Sequence, residues 1–208
     1  MHQAYARFMG TGQTAPYCVI LYNYRMPNYR RVRIKGGTYF FTLVTYKRQK
    51  VFASLETRIL LLESVNYVKR FHPFYIEAYC ILPDHIHLLW RMPEDDDNYS
   101  MRIAEIKKRF SKYYFKNLGT TLLLNPLQAM RKESGIWQRR FWEHYIRDEE
   151  DLNRHIDYIH YNPVKHGFVK KVSAWPSSSF FDYVRTGNYQ VDWGDEYHAN
   201  QEKNVFGE

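Results

Sequence analysis

The chain has 208 residues and a mass of 25.3 kDa, with a formal net charge of +8 and 18% aromatic residues. Its 45% hydrophobic content excludes global disorder, and two cysteines, Cys18 and Cys80, exclude a disulfide scaffold or a cysteine-ligated zinc site. No apolar segment is long enough to span a bilayer and no signal peptide is recognisable, so we expect a cytoplasmic protein. Basic residues combined with aromatic ones are typical of proteins that bind a phosphate backbone and stack on bases.

Positive charge is concentrated near the start of the chain. No Asp or Glu precedes Glu56, whereas nine Lys or Arg residues do, and residues 102–116 form a second basic block. The last residues are acidic. Residues 1–25 contain Gly10, Gly12 and Pro16 and little periodicity, which predicts a flexible arm. We therefore divide the chain into an N-terminal arm (1–25), one domain (26–193) and an acidic tail (194–208).

The predicted elements begin with a strand over residues 38–46, because that run is β-branched and aromatic. Apolar residues at helical spacing predict a helix over 55–71. Two further apolar runs, 74–82 and 85–92, flank the Pro83-Asp84 turn and predict a β-hairpin. A second helix is expected over 100–117, followed by a weakly patterned insertion over 119–135.

The C-terminal part of the domain is predicted to add a fourth strand or an extended segment over 136–146 and a helix over 148–161. We expect this helix to end at Asn162, because Pro163 disfavours helical geometry in the residue before it. The resulting β-α-β-β-α-β-α order predicts an α+β fold. Its topology is the ferredoxin-like split βαβ, with an antiparallel sheet flanked by helices.

The predicted third strand carries a histidine pair. His85 and His87 lie two residues apart, so they share one face of the strand while Ile86 points into the core. Two adjacent imidazoles can bind one divalent metal ion. An isolated pair is more often two exposed histidines on a polar sheet face, because a metal site normally needs a third ligand.

The last predicted helix offers that third ligand. Tyr158 and Asn162 are four residues apart and therefore share a helix face, so Asn162 offers a carbonyl oxygen and Tyr158 a phenol. Considered alone, Tyr158 is better explained as a half-buried aromatic anchor of the helix and Asn162 as its C-cap.

Together these features resemble the single-tyrosine HUH transposases and, among them, the REP-associated tyrosine transposases. The resemblance covers about residues 26–193. It rests on these segments: YRR (29–31), KGGTYFF (35–41), LPDHIH (82–87), WQRRFWEH (137–144), IDYIHYNPVKHG (156–167) and WPSSS (175–179).

The resemblance implies a DNA strand transferase with its catalytic tyrosine on a C-terminal helix. Tyr158 is the implied nucleophile, which forms a 5′-phosphotyrosyl intermediate with single-stranded DNA. The implied metal ligands are His85, His87 and Asn162, and the implied ion is Mg²⁺ or Mn²⁺, although imidazole ligands alone would favour zinc. Tyr161, three residues further on, stays open as an alternative nucleophile.

The family acts on palindromic hairpins next to a short single-stranded guide sequence, which implies single-stranded or hairpin DNA as the partner. The candidate DNA-binding residues are Arg25, Arg30, Arg31, Arg33, Lys35, Lys107, Lys108, Lys112, Arg139 and Arg140. We expect a monomer, with a dimer as the alternative, no obligatory protein partner, and association with the nucleoid.

Two other functions compete with this interpretation. A non-catalytic single-stranded nucleic-acid-binding module of ferredoxin-like fold would explain residues 35–41, which are similar to an RNA-recognition motif, but not the histidine pair. A two-histidine phosphoesterase would need His-x-Thr or His-x-Ser motifs, and the chain contains neither. The sequence does not separate a mobile element from a domesticated host enzyme.

Overall fold

The chain divides into two units, residues 1–30 and 31–208, and the computed structural model describes residues 31–118, 124, 126–131 and 133–195 of the second. The predicted arm, the residues Arg25 and Arg30, and the tail from residue 196 onward lie outside the described residues. In the part that is described, no helix combines the length and the apolar character that crossing a membrane requires.

A four-stranded antiparallel sheet forms the centre of the domain, with the order β2-β3-β1-β4. The strands are β1 Thr38–Val44, β2 Tyr75–Ile81, β3 His85–Arg91 and β4 Trp142–Tyr145. The helices are α1 Leu55–Phe71, α2 Tyr99–Leu118, α3 Pro126–Met130, α4 Glu149–Lys165 and α5 Phe180–Arg185. The predicted α+β class, with an antiparallel sheet flanked by helices, is confirmed.

Both faces of the sheet are covered. Tyr39, Phe41 and Leu43 of β1 point to one face, where they pack with Trp90 against α1 and α2. Phe40 points to the opposite face and packs in a second cluster together with residues of α4. Strand alternation therefore produces two cores from one strand, which explains why the whole run is apolar rather than alternating.

The β2–β3 hairpin determines where the histidine pair lies. Its turn is closed by a hydrogen bond from the amide of Leu82 to the carbonyl of His85, at 2.9 Å. In the pairing of β3 with β1, His85 lies opposite Val44 and His87 opposite Thr42. Residues directly opposite in an antiparallel pair point to the same face, so both histidines face α4.

The fourth strand is shorter than the predicted 136–146. Strand β4 begins only at Trp142, and Trp137 forms an isolated bridge with Thr45. Between these two pairings the chain holds two more residues than β1 does, so the ladder is interrupted. The extra length includes Arg139 and Arg140, both exposed to solvent.

The last long helix continues past the predicted end at Asn162. Pro163 lies inside α4, which extends to Lys165 and is capped at His166. Proline removes only one backbone donor, and the next turn is held by the amide of His166, which donates to the carbonyl of Asn162 at 3.0 Å. Gly167, with a φ of 69°, then ends the helix.

Two short helices were not predicted. α3 lies within the segment that we expected to be an unpatterned insertion, and α5 follows the serine-rich residues 177–179. Both are too short for apolar periodicity to identify them in the sequence.

We expect Phe41→Ala to reduce the free energy of unfolding by about 3–5 kcal/mol, because it leaves a large cavity among buried aromatic rings. Phe41 is fully buried and lies 4.7 Å from Trp90 between ring centroids. Urea denaturation measures the effect. The matched control is Phe181→Ala, since Phe181 is 44% exposed; an equal loss in both variants would contradict the assigned core.

Candidate active site

The histidine pair is buried and held in position from behind. His85 is 1% exposed and His87 is 0% exposed. The Nδ1 atom of His85 lies 2.6 Å from Oδ1 of Asp84, and the Nδ1 atom of His87 lies 3.0 Å from the hydroxyl of Thr42. The predicted shared face is therefore present, but the alternative of two exposed histidines is wrong, because α4 covers this part of the sheet.

Asp84 fixes the tautomer of His85. Burial raises the pKa of Asp84, but the hydrogen bond from His85 and the nearby Arg48 outweigh it and hold the pKa below its usual value. The ionised carboxylate accepts the Nδ1 proton, so the lone pair of His85 lies on Nε2. Among the described residues this buried Nε2 atom has no hydrogen-bond partner. A buried imidazole nitrogen that carries a lone pair and no proton can act as a metal ligand.

Helix α4 places the remaining predicted residues over the pair. The ring of Tyr158 lies 5.3 Å from that of His87 and 5.9 Å from that of Phe40. Asn162, one turn further along the same helix face, is fully buried. The structure therefore places the ring of Tyr158 beside His87, which lies 4.8 Å from His85 between ring centroids, while Asn162 is buried one turn further along the same helix.

Lys165 and Gly194 lie next to the rings of the two candidate nucleophiles, Tyr158 and Tyr161. The Nζ atom of Lys165 lies 4.8 Å from the centre of the Tyr158 ring, a contact that the sequence analysis did not predict. The ring of Tyr161, the alternative nucleophile, lies beside Gly194, where an added Cβ would approach it to 3.4 Å. Tyr161 is three residues from Tyr158 and therefore lies near the same helix face, so its position in the helix alone does not remove it as the alternative nucleophile.

Three of the predicted DNA-binding residues converge on one patch on the α2 side of the sheet. Arg31 stacks over Phe141 at 3.8 Å and lies 3.5 Å from the carboxylate of Glu143. Lys107 approaches the same Phe141 ring, and burial together with the neighbouring Arg31 lowers the pKa of Lys107 to about 8. Arg33 joins the patch through Ser100, which Arg31 also contacts.

The other predicted DNA-binding residues within the described range are exposed. They are Lys35, Lys108, Lys112, Arg139 and Arg140. Lys108 lies 3.6 Å from Glu105 on the surface of α2, a weak pair that leaves its charge accessible. The basic residues thus cluster apart from the histidine pair, on the opposite side of the sheet or beyond its β4 edge.

A second group of polar residues, which the sequence analysis missed, ties α4 to β4. His144, Asp151 and His155 offer ligand atoms that all lie within 4.8 Å of one another. The carboxylate of Asp151 already accepts hydrogen bonds from His144 at 2.8 Å and from Arg147 at 3.2 Å. The two imidazole rings are stacked at 4.6 Å rather than convergent. We therefore describe the group as a hydrogen-bonded hub. The sequence could have indicated part of it, because Asp151 and His155 are four residues apart and so share a face of the helix.

The opposite end of α4 is anchored by an aromatic cluster. His160 is fully buried, donates or accepts a hydrogen bond with Ser179 at 2.8 Å, and packs against Tyr183 and Tyr189. Burial lowers the pKa of His160 to about 3, so this imidazole is neutral. The hydroxyl of Tyr189 donates to Asp157, which adds a polar tie to the same cluster.

The fold and the site together define a class of protein: an antiparallel sheet that presents a buried His-x-His pair to a tyrosine on the last long helix. Comparison with known proteins identifies the same class. Residues 34–162 match the model of the IS200-like transposase family. The chain belongs to this family, in the group of REP-associated tyrosine transposases.

Individual relatives are similar over most of their length. A Haemophilus influenzae protein assigned to the REP-associated tyrosine transposases is 48% identical over 172 residues, covering 81% of this chain and 94% of the relative. The REP-associated tyrosine transposase of Escherichia coli is 43% identical over 169 residues, covering 81% and 91%. A solved structure of a REP-associated tyrosine transposase bound to a REP hairpin superposes with a TM-score of 0.66 at 42% identity, covering 81% and 91%. These findings support the transposase interpretation over the non-catalytic binding module.

We expect Asp151→Asn to reduce stability by about 2 kcal/mol at neutral pH, with the difference disappearing in acid. Burial raises the pKa of Asp151, but the hydrogen bonds from His144 and Arg147 lower it to about 2. A depressed carboxyl pKa stabilises the fold above the unfolded value of 3.8, and this contribution is lost as pH falls towards 2.

Urea denaturation of both proteins between pH 2 and 7 measures this difference. The control is Asp182→Asn, since the Asp182 side chain is 56% exposed and pairs with Arg185 at the surface. A constant difference between wild type and Asp151→Asn across this pH range would show that the hub is not held by the ionised carboxylate.

Proposed function

We propose that the protein is a sequence- and structure-specific endonuclease and strand transferase for single-stranded DNA, acting on REP-like palindromic hairpins. Family membership and the relative bound to a REP hairpin support this proposal. The observation that carries it is the position of the Tyr158 ring, 5.3 Å from a buried histidine whose Nδ1 is already held by Thr42.

Tyr158 is the proposed nucleophile. Its phenolic oxygen attacks the scissile phosphorus, a Tyr–O–P bond forms, and the bond from phosphorus to the 3′-oxygen breaks. The phenol loses its proton and the leaving 3′-oxygen gains one, so a 3′-hydroxyl is released and the 5′-phosphate stays on the protein. Because the phosphotyrosyl linkage is a phosphodiester, a DNA 3′-hydroxyl can reverse the step and join strands without a nucleotide cofactor.

His85, His87 and Asn162 are the proposed holders of a divalent ion, Mg²⁺ or Mn²⁺. The buried Nε2 atom of His85 and the fully buried amide of Asn162 are a donor set that suits such an ion. When bound, the ion supplies Lewis-acid polarisation of the scissile phosphate. The residues behind them, Asp84 and Thr42, fix the ring orientations.

Lys165 is proposed to assist the nucleophile. Its ammonium group lies 4.8 Å from the Tyr158 ring centre, so it places positive charge where the phosphate must arrive. A cation at this distance attracts the DNA backbone to the tyrosine and stabilises negative charge that develops during attack.

The DNA is proposed to be gripped by the basic patch and by the exposed residues Lys35, Lys108, Lys112, Arg139 and Arg140, with Arg25 and Arg30 as further candidates. Phosphate contacts of this kind position the strand without reading its sequence. Within the patch, Lys107 has its pKa lowered to about 8, and an arriving phosphate would restore its full charge.

For the whole chain we propose one catalytic domain over residues 26–193, preceded by an arm and followed by an acidic tail. Because its proposed substrate is DNA, we propose that the protein acts at the nucleoid in the cytoplasm. We propose that a monomer carries out the reaction, since within one chain the ring of Tyr158 lies beside His87 and Asn162 is buried on the same helix.

Tyr158→Phe is expected to abolish the covalent protein–DNA adduct, whereas Tyr161→Phe should retain it, because the Tyr158 ring lies 5.3 Å from that of His87. The substrate is single-stranded hairpin DNA from the flanking genome, labelled at its 3′ end, with Mn²⁺ or Mg²⁺ present. A denaturing gel detects the adduct. If Tyr158→Phe still forms it and Tyr161→Phe does not, the alternative nucleophile is correct; if wild type cleaves no such hairpin, the enzyme assignment fails.

Arg139→Ala combined with Arg140→Ala should weaken DNA binding and flatten its salt dependence, because each lost phosphate contact reduces the slope of log K against log salt by roughly 0.7–0.9. Fluorescence anisotropy with a labelled hairpin at several salt concentrations measures the slope. The control removes the same charge through Lys171→Ala and Arg185→Ala, whose cations pair with Asp195 and Asp182. Equal slopes in both double variants would contradict the assigned surface.

A further inference from the structure

The outer surface of α1 and α2 carries aromatic rings and cations that the proposed reaction does not use. We propose that they bind a second segment of single-stranded DNA, with Arg109 on a phosphate and Phe71 against a base. This binding goes beyond the proposed reaction, because the phosphate held there is not the one that Tyr158 attacks. The residues that form this α1–α2 surface are Tyr67, Phe71, Arg109, Lys112 and Tyr113.

The guanidinium of Arg109 lies between two tyrosine rings. Its Cζ atom is 3.5 Å from the centre of the Tyr67 ring on α1 and 4.6 Å from that of Tyr113, one turn further along α2. Rings that stack on a guanidinium cover its faces and leave its in-plane N–H donors for a phosphate. Among the described residues no hydrogen bond uses the donors of Arg109. The side chain is therefore ordered before any ligand arrives.

The charge of Arg109 is not neutralised by a neighbouring acid in the described part of the chain. Helical spacing offers it Glu105, four residues earlier on α2. That carboxylate instead lies 3.6 Å from the ammonium group of Lys108, while Arg109 turns towards the tyrosines. A stacked guanidinium with no carboxylate partner favours an anionic ligand, and its planar fork suits the two oxygens of a phosphate.

The residues around Arg109 reinforce this preference for an anion. Exposed cations lie on the same helix faces, whereas Glu63 is the acid one turn before Tyr67 on α1. Positive charge exceeds negative charge across the surface, as binding to a phosphate chain requires. The exposed cations are Arg70 on α1 and Lys112 and Lys116 on α2.

Exposed rings beside these cations favour a single strand over a duplex. Phe71 is 58% exposed and Tyr67 is 45% exposed, and their ring centroids are 4.7 Å apart. Unpaired bases stack on such rings, whereas the bases of a duplex are already stacked on one another. Cations that hold the backbone next to rings that hold bases are the usual components of a single-strand-binding surface.

The sheet separates the α1–α2 surface from the proposed nucleophile. Helices α1 and α2 pack on the face that carries Phe41, whereas Tyr158 packs with Phe40 on the opposite face. A strand bound to the α1–α2 surface and a hairpin held for cleavage therefore occupy different places. This separation predicts that both bind at the same time.

The test measures binding of a labelled single strand to full-length protein that is saturated with unlabelled hairpin DNA. The probe is a fluorescent oligothymidylate of about 15 nucleotides, because single-strand-binding domains cover roughly 4–16 nucleotides. Anisotropy gives its dissociation constant for wild type, Arg109→Gln, Arg109→Lys and Phe71→Ala. The same probe annealed to oligodeoxyadenylate tests the preference for a single strand.

We expect Arg109→Gln and Phe71→Ala each to weaken oligothymidylate binding by about fivefold or more. Arg109→Lys should weaken it less than Arg109→Gln does, because it keeps the charge and loses the fork. The matched controls are Arg185→Gln and Phe181→Ala on α5, where Arg185 pairs with Asp182 and Phe181 is 44% exposed. Both controls should bind as wild type does.

A purely structural role for Arg109, as a tie between α1 and α2, gives a different result. Arg109→Gln would then lower the melting temperature and leave the affinity for oligothymidylate at the wild-type value, which overturns the inference. Phe71→Ala keeps the test valid if Arg109→Gln does not fold, because Phe71 is an exposed side chain. Equal affinity for the annealed probe, or complete displacement of the single strand by the hairpin, also overturns it.

Cross-linking locates the bound strand independently. An oligothymidylate with 5-bromodeoxyuridine, irradiated on the hairpin-saturated protein, should attach to the peptides that contain Tyr67 or Phe71. Attachment at Phe141 instead would assign the strand to the basic patch and reject the α1–α2 surface. Failure of the proposed function is read separately, from wild type that forms no covalent adduct with any hairpin. In that case binding of oligothymidylate through Arg109 and Phe71 would still stand.

Discussion

The packing of α4 against strands β2 and β3 is the constraint on which the candidate site depends. The two histidines on β3 are buried on the face that this helix packs against, and their Nδ1 atoms are hydrogen-bonded to Asp84 and Thr42. Covering them with an ordinary apolar helix would leave buried polar nitrogens at a cost of about 1–3 kcal/mol each. The helix that covers the histidines instead carries Tyr158, whose ring lies 5.3 Å from that of His87, and the buried Asn162.

Such a site requires that α4 does not shift, and the structure fixes the helix near both of its ends. Near its start, Asp151 is hydrogen-bonded to His144 of β4 and to Arg147. In its second half, His160 is buried against Ser179, Tyr183 and Tyr189. Phe40 connects these anchors to the chemistry, since its ring contacts both His155 and His87. The same Phe40 ring on β1 lies 5.9 Å from the ring of Tyr158.

The basic patch and the histidine pair lie on opposite faces of the sheet. Arg31 and Lys107 meet over Phe141 on the α2 side, whereas the histidine pair faces α4 on the other side of the sheet. Part of the basic surplus is compensated within the protein, as Arg31 is paired with the buried Glu143. The exposed Arg139 and Arg140 occupy the interrupted ladder ahead of β4, where extra chain length lets them project into solvent.

The sequence by itself determined the order of elements, the bounds of α1, the sheet class and the shared face of His85 and His87. These depend on local periodicity, on strand alternation and on turn residues, which are properties of neighbouring positions. It also placed Tyr158 and Asn162 on one helix face, and its motifs identified the family. It could not determine how far α4 extends beyond Pro163, because a proline excludes one hydrogen bond but tertiary packing decides whether the next turn forms.

Only the tertiary structure brought β3 and α4 together, buried both histidines and placed His166 beside His85. The same holds for the hub around Asp151 and for Lys165 over Tyr158. These contacts join residues that are remote in sequence or lie on an unpredicted extension of a helix. These contacts form only when whole helices and strands pack against one another, so no pattern of neighbouring residues in the sequence predicts them. The sequence gives the identity of each residue but not its partner.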